Sequence, residues 1–251
     1  MPEHPSLSRI DHRPWPLPAV KWAWRQGWKD LAFLHYRIDP AQVRSLLPAG
    51  VTLQTFDGSA WLGVVPFLMH DVMRGSLPAL PWLSTFPELN VRTYVEAHGR
   101  PGVWFFSLDA ASRGIVFGGR TFYRLPYHLA GMKIERQDGG WYDYSSSRRP
   151  VGVAFRGRYR PIGSVFEAVP GTFEHWAAER YCLYSRAPRG ESLHRAEVHH
   201  APWPLQTAEV EITRNDLLSA LGLTPEDQPP VCHFSTGVKV ISWGAEALPA
   251  V

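Results

Sequence analysis

Gly118-Gly119-Arg120-Thr121-Phe122-Tyr123-Arg124-Leu125-Pro126-Tyr127-His128-Leu129-Ala130-Gly131 carries the most information of any stretch in this chain. The glycine pair beside Arg120 implies unusual backbone geometry, and Arg120 either clamps an anion or holds that bend. Residues 111–122 read as a helix weakened by Gly114, Gly118 and Gly119, and residues 129–136 read as a strand. Tyr127 and His128 are adjacent. On a strand their side chains point to opposite faces, so one of the two is expected to face an interior. A tyrosine there donates a hydrogen bond to a carbonyl oxygen or acts as a general acid, and a histidine transfers protons near neutral pH.

Upstream, residues 31–36 read as a strand, and Asp39-Pro40 caps a short helix. Strands over 51–56 and 60–68 flank the hairpin signal Asp57-Gly58-Ser59. Residues 72–87 are proline-rich, a candidate lid or pocket wall. Strands over 88–97 and 103–110 form the next hairpin. On the first, Glu88, Asn90 and Arg92 share one face and Leu89, Val91 and Thr93 the other. An acid, an amide and a guanidinium on one face suit a carboxylate ligand, with Glu88 orienting Arg92, or else a solvated face with an ordinary ion pair. On the second, Trp104, Phe106 and Leu108 alternate with Phe105, Ser107 and Asp109.

Downstream, residues 140–146 and 151–160 read as strands, the latter carrying a basic stripe of Arg156, Arg158 and Arg160. Thr172 caps a helix expected to run through Arg180. Strands follow over 181–186, 191–200 and 205–212, then a last short helix from Thr213 or Asn215 to Gly222, and a closing strand over 238–243. With 23 prolines and 21 glycines scattered through 251 residues, many short strands joined by turns are favoured over long helices. The expected fold class is mainly antiparallel β with a few short helices, in a single domain over 1–251, with residues 1–18 as an extended arm.

Net charge is only +3, which calls for neither nucleic acid nor an anionic membrane. The longest apolar runs are strand-length. Cys182 and Cys232 have no metal-ligand spacing and read as buried free thiols in a reducing, cytoplasmic setting. The N-terminus lacks the apolar core of a signal peptide. His194, His199 and His200 raise a metal reading that no HExxH or CxxC pattern supports. No GxSxG, P-loop or dinucleotide fingerprint is present, so no metal and no cofactor is expected.

Gly119-Arg120 followed by Pro126, Tyr127 and His128 resembles the active-site segment of acetoacetate decarboxylases, where two adjacent lysines follow the proline. Tyr36-Arg37-Ile38-Asp39 with Val43-Arg44 and Pro48 resembles a second motif of those enzymes. Over nearly its whole length the chain resembles the YqjF-like family of uncharacterised proteins. The carrying pieces are His35-Tyr36-Arg37, Glu88-Leu89-Asn90-Val91-Arg92-Thr93-Tyr94-Val95, Gly102-Val103-Trp104-Phe105-Phe106-Ser107-Leu108 and Leu125-Pro126-Tyr127. The resemblance implies a cone-shaped, partly open β-barrel with an internal pocket, but no established reaction.

Carried over by position, the lysine that attacks the ketone becomes Tyr127, and its pKa-lowering neighbour becomes His128. A pocket arginine falls on Lys29, one pocket glutamate on Glu88 and another near Gly63. A phenol cannot form an imine, so Schiff-base decarboxylation is not expected. The expected site residues are Tyr127, Glu88 and His128 for acid–base chemistry and Lys29, His35, Asn90, Arg92 and Arg120 for ligand binding. The expected partner is a small organic ligand, a carboxylate or keto acid. Lyase- or isomerase-type chemistry and non-catalytic binding or sensing both remain open, as does a homo-oligomer.

Overall fold

The computed structural model describes residues 4–75, 84–150, 152–186 and 192–249. Its strands are β1 Trp24–Ile38, β2 Thr52–Leu53, β3 Ala60–Arg74, β4 Phe86–Ala97, β5 Arg100–Ala110, β6 Tyr127–Arg136 and β7 Tyr142–Arg148. They continue with β8 Ala154–Phe166, β9 Cys182–Arg186, β10 Leu193–His200, β11 Leu205–Asn215, β12 Val231–Ser242 and β13 Glu246–Ala247. Helices are few and short: α1 Pro40–Arg44, α2 Arg113–Phe122 and α3 Phe173–Ala178. All described strands belong to one sheet, antiparallel except where β5 pairs with β6 and β9.

The pairings close two rings that share strands. One runs β1-β12-β11-β8-β7-β6-β5-β4-β3 and back to β1. Every strand of this ring contributes to one core, which includes Leu34, Val64, Val91, Tyr144, Tyr159 and Phe234. The second ring is closed by β12–β10, β10–β9 and β9–β5. It surrounds a different core, built on Leu31, Phe33, Phe67, Tyr94, Phe105 and Trp203. The shared strands β12, β1, β3, β4 and β5 therefore form a wall between two interiors.

That wall explains a length the sequence understated. A strand with one buried face alternates, but one buried on both faces is continuously apolar. Leu31 and Phe33 serve one core while Ala32 and Leu34 serve the other. β1 extends well beyond 31–36 because it pairs with β12 and β3 along its length, with irregular register near Asp30, whose φ is +52°.

Several expectations need correction. The strand expected over 51–56 is only β2, although its hairpin forms with Asp57 and Gly58 at positive φ. No helix begins at Thr213 or Asn215. β11 pairs with β8 as far as Asn215, and only a 3-10 turn over Ser219–Leu221 precedes Gly222. Cross-strand pairs Arg158–Glu211 and Arg160–Glu209 hold that extension, so the basic stripe is a charge-paired solvated face. Alternation on β5 is broken by a bulge: Val91 pairs with Ser107 and Arg92 with Phe105, which leaves Phe106 as the extra residue. Phe105 and Leu108 consequently face the same interior. The proline-rich 72–87 stretch lies partly outside the described residues, at 76–83.

The N-terminal arm packs onto its own chain. Arg13 is buried, pairs with Glu197 and donates to the Val198 carbonyl at 2.6 Å. Trp15 Nε1 donates to Glu197 Oε2 at 2.9 Å, and the His199 ring is hydrogen-bonded to the Ser6 carbonyl at 2.8 Å. Both cysteines are free thiols, Cys182 buried and Cys232 half-buried. No helix among the described residues is long and apolar enough to cross a membrane.

Candidate functional site

A cavity of about 320 Å³ occupies the second ring. Its walls are aromatic and aliphatic, with Trp28 and Phe33 from β1, Phe67 from β3, Phe105 and Leu108 from β5, and Trp203. Trp28 and Trp203 stack with centroids 5.8 Å apart and planes 18° off parallel. At one end lie Phe117 and Phe122 of α2, both exposed, so this end is the mouth. At the other end α3 closes the ring, with Phe173 against Trp61 and Trp176 against Tyr94.

One face of β4 supplies the polar groups. Glu88, Asn90 and Arg92 all line the cavity, as their spacing predicts, while Leu89 and Val91 pack into the other core. Glu88 is 3% exposed and lies deep in the wall. Its Oε2 accepts a hydrogen bond from Tyr127 Oη at 2.8 Å, and its backbone carbonyl accepts one from Tyr144 Oη at 2.7 Å. Burial pushes the Glu88 carboxyl up to about 8, against the opposing effect of the Tyr127 hydrogen bond. At neutral pH Glu88 is therefore mostly a carboxylic acid. Burial, and then the Glu88 charge, hold Tyr127 well above the usual phenol range. Glu88 does not orient Arg92: its partner is Tyr127, and the two β4 side chains form no ion pair.

Local sequence places Tyr127 with care. The Tyr127 ring lies against α2 where Gly119 sits, and a Cβ at Gly119 would be 2.4 Å from the ring carbons. Arg120, largely exposed, turns back so that its Nε donates to the Tyr127 carbonyl at 2.7 Å. Of its two expected roles, Arg120 fills the one of holding the bend and does not line the cavity.

The other expected residues are more scattered. His35 is buried behind the cavity, hydrogen-bonded through Nε2 to Tyr94 Oη at 2.6 Å. His128 is half-buried across from Asp109, outside the cavity. Lys29 is exposed, its Nζ 3.7 Å from Asp30 Oδ2. Adjacent strand residues face opposite ways, so Trp28, one position earlier, takes the cavity side that the count assigned to Lys29. Lys21, Lys133 and Lys239 are exposed too, so no lysine lines the cavity. At Gly63, where the resemblance puts a second glutamate that this chain lacks, the space beside the backbone is taken by Arg92 and the Tyr94 hydroxyl, each 3.4 Å from where a Cβ would stand.

Sequence reasoning missed Arg180 and His200, which also line the cavity. Arg180 falls between α3 and β9, where no periodicity applies, and it carried no signal in the sequence. His200 ends β10 with its ring toward the cavity, while Glu197 and His199 face the N-terminal arm. Four buried polar atoms on cavity residues have no hydrogen-bond partner among the described residues: Trp28 Nε1, Asn90 Oδ1, Arg92 Nε and Arg180 Nη2. No group of three or more His, Cys, Asp or Glu among the described residues is placed to hold a metal ion.

The fold is of the acetoacetate-decarboxylase-like structural class, as its similarity to solved structures shows. The structure of the enduracididine biosynthesis enzyme MppR complexed with pyruvate is similar with a TM-score of 0.65 at 14% identity, covering 92% of both chains. That of acetoacetate decarboxylase from Legionella pneumophila has a TM-score of 0.64 at 13% identity, covering 94% of this chain and 92% of that one. Within this class, the chain belongs to the DUF2071 family, described as an uncharacterized conserved protein, whose model matches residues 25–239. It is 40% identical over 228 residues to the uncharacterized protein YqjF of Bacillus subtilis (strain 168), covering 90% of this chain and 93% of that protein.

Proposed function

We propose that the cavity binds a small organic carboxylate, a keto acid among them, and that Glu88 with Tyr127 forms its acid–base pair without any covalent imine. The observation that carries this reading is a buried acid–phenol hydrogen bond inside a cavity that no lysine lines. A neutral carboxylic acid in an apolar wall donates a strong hydrogen bond to a carbonyl oxygen. A ketone so polarised loses its α-proton to water more readily, and a solvent proton then returns, so the net reaction is exchange. The cavity volume and its few convergent polar groups support the reading of a small-molecule site. The pyruvate bound to MppR adds a carboxylate precedent on a similar fold.

The test is proton NMR of 2-oxobutyrate in deuterium oxide with the protein present. Loss of the C3 proton signal above the buffer rate, abolished in Glu88→Gln, is the expected result. Binding without exchange would assign the cavity to non-catalytic binding, and no binding would overturn the reading. Reduction with borohydride should leave all lysines unmodified by the keto acid; a trapped adduct would overturn the non-covalent chemistry.

A further inference from the structure

We propose that Arg92 and Arg180 together form a carboxylate anchor at the closed end of the cavity, and that the ligand is a carboxylate with an extended apolar or aromatic body. This rests on the reading that the cavity takes a ligand, and it names which ligand class.

Both guanidiniums pack against one ring, with Arg92 Cζ 5.9 Å and Arg180 Cζ 5.2 Å from the Tyr94 centroid. Neither forms an ion pair with a described carboxylate. Arg180 is 7% exposed. Its Nε donates to the Trp176 carbonyl at 2.5 Å and its Nη1 to Gln54, which fixes the guanidinium and leaves Nη2 buried without a partner. Arg92 has an unpartnered buried Nε. Arg180 is buried and Arg92 half-buried, and two like charges so close disfavour each other: the field of Arg92 acts on Arg180, offset in part by Glu96 beyond Gln54. A bound carboxylate relieves the repulsion and supplies acceptors for the spare donors.

The rest of the cavity fixes the body of the ligand. Arg92 and Glu88 are four residues apart on β4, about 13 Å at ~3.3 Å per residue. Between them the walls are Phe33, Phe67, Trp28 and Trp203, with Asn90 as the polar group on the way. A three- or four-carbon keto acid spans only part of that length: held at Glu88 and Tyr127 it leaves the arginines without a carboxylate, and seated on the arginines it leaves the aromatic length uncovered. An arylalkanoate fills it and brings its far end toward Glu88 and Tyr127.

The experiment titrates the full-length protein with 4-phenylbutyrate, its neutral amide 4-phenylbutanamide, and 2-oxobutyrate, read by the fluorescence of the cavity tryptophans. The expected result is at least tenfold tighter binding of 4-phenylbutyrate than of either other probe, with Arg92→Gln and Arg180→Gln each erasing the acid–amide difference. The acid–amide comparison on the wild-type protein stands even if a variant fails to fold. Equal binding of acid and amide, or a preference for acid that survives in a folded Arg180→Gln, overturns the anchor and leaves the cavity reading intact. Equal or tighter binding of 2-oxobutyrate overturns the extended body alone. Binding of none of the three overturns both readings.

Discussion

Tyr127 Oη lies 2.8 Å from Glu88 Oε2 and donates to it, and both side chains are buried in the wall of one cavity. The two residues lie 39 positions apart in sequence on β4 and β6, so both strands must be in register with β5 for the bond to exist. The bond lowers the carboxyl pKa, whereas burial raises it and wins.

Removing the phenol tests that balance. In Tyr127→Phe the Glu88 carboxyl should titrate above about 8, since only the opposing hydrogen bond is lost. The cost in stability should be about 1 kcal/mol, the net value of a neutral hydrogen bond. Infrared detection of the protonated-acid carbonyl band against pH reads the titration. A midpoint that falls or stays fixed would show that the phenol does not govern the acid.

Glu88 also sets a pH dependence of stability. Its folded pKa lies above the ordinary value of 4.5, so the folded state holds a proton that the unfolded state releases. From this group alone, stability falls as pH rises from about 4.5 to about 8 and then levels off, by up to a few kcal/mol. Burial does the reverse to His35, His200 and His233, and lowers His199 to about 4. Each of these loses stability as pH falls below 6.5. With His4 and His128, which burial lowers likewise, six histidines outweigh one acid on the acidic side, so the wild-type maximum should lie near pH 6.5–7. Glu88→Gln keeps an acceptor for Tyr127 and removes the alkaline loss. Urea unfolding should show the variant more stable than wild type at pH 8.5 and similar at pH 5. Parallel curves would exclude a raised pKa at Glu88.

Gly119 offers a test in which a common rule reverses. Gly to Ala within a helix ordinarily stabilises by up to about 1 kcal/mol. Gly118→Ala should follow that rule, because its nearest neighbour is 3.9 Å from the new Cβ. Gly119→Ala should instead cost on the order of 1–3 kcal/mol, because the Cβ would stand 2.4 Å from the buried Tyr127 ring. Thermal unfolding of the two variants side by side reads the opposite signs. A stabilised Gly119→Ala would mean that the ring does not pack there.

The sequence was most legible where one physical rule acted alone. The face shared by Glu88, Asn90 and Arg92 followed from strand alternation, and Gly119-Arg120 from the demands of a bend. Legibility failed where a local rule was overridden. The bulge at Phe106 put Phe105 and Leu108 on one side, and a single-residue offset on β1 exchanged Lys29 for Trp28. The presence of two interiors was hidden because strands buried on both faces lose their alternation. Arg180 reaches the cavity from a connecting segment, where position in sequence carries no facing information.

The buried pair at the N-terminal arm gives the largest expected effect. The Arg13 side chain is 1% exposed and that of Glu197 is 7%, so each charge depends on the other for its solvation. Burial lowers the Arg13 pKa, with Glu197 acting against it. Glu197→Gln leaves a guanidinium inside the protein without its counter-ion, a change that costs about 3–5 kcal/mol. Arg100 also pairs with Glu197, but its side chain is 35% exposed. Arg100→Gln should therefore cost less than about 1 kcal/mol, because water replaces the lost partner. Urea unfolding of the two variants separates these magnitudes. Equal, small losses in both would mean that the arm is not anchored through the Arg13–Glu197 pair.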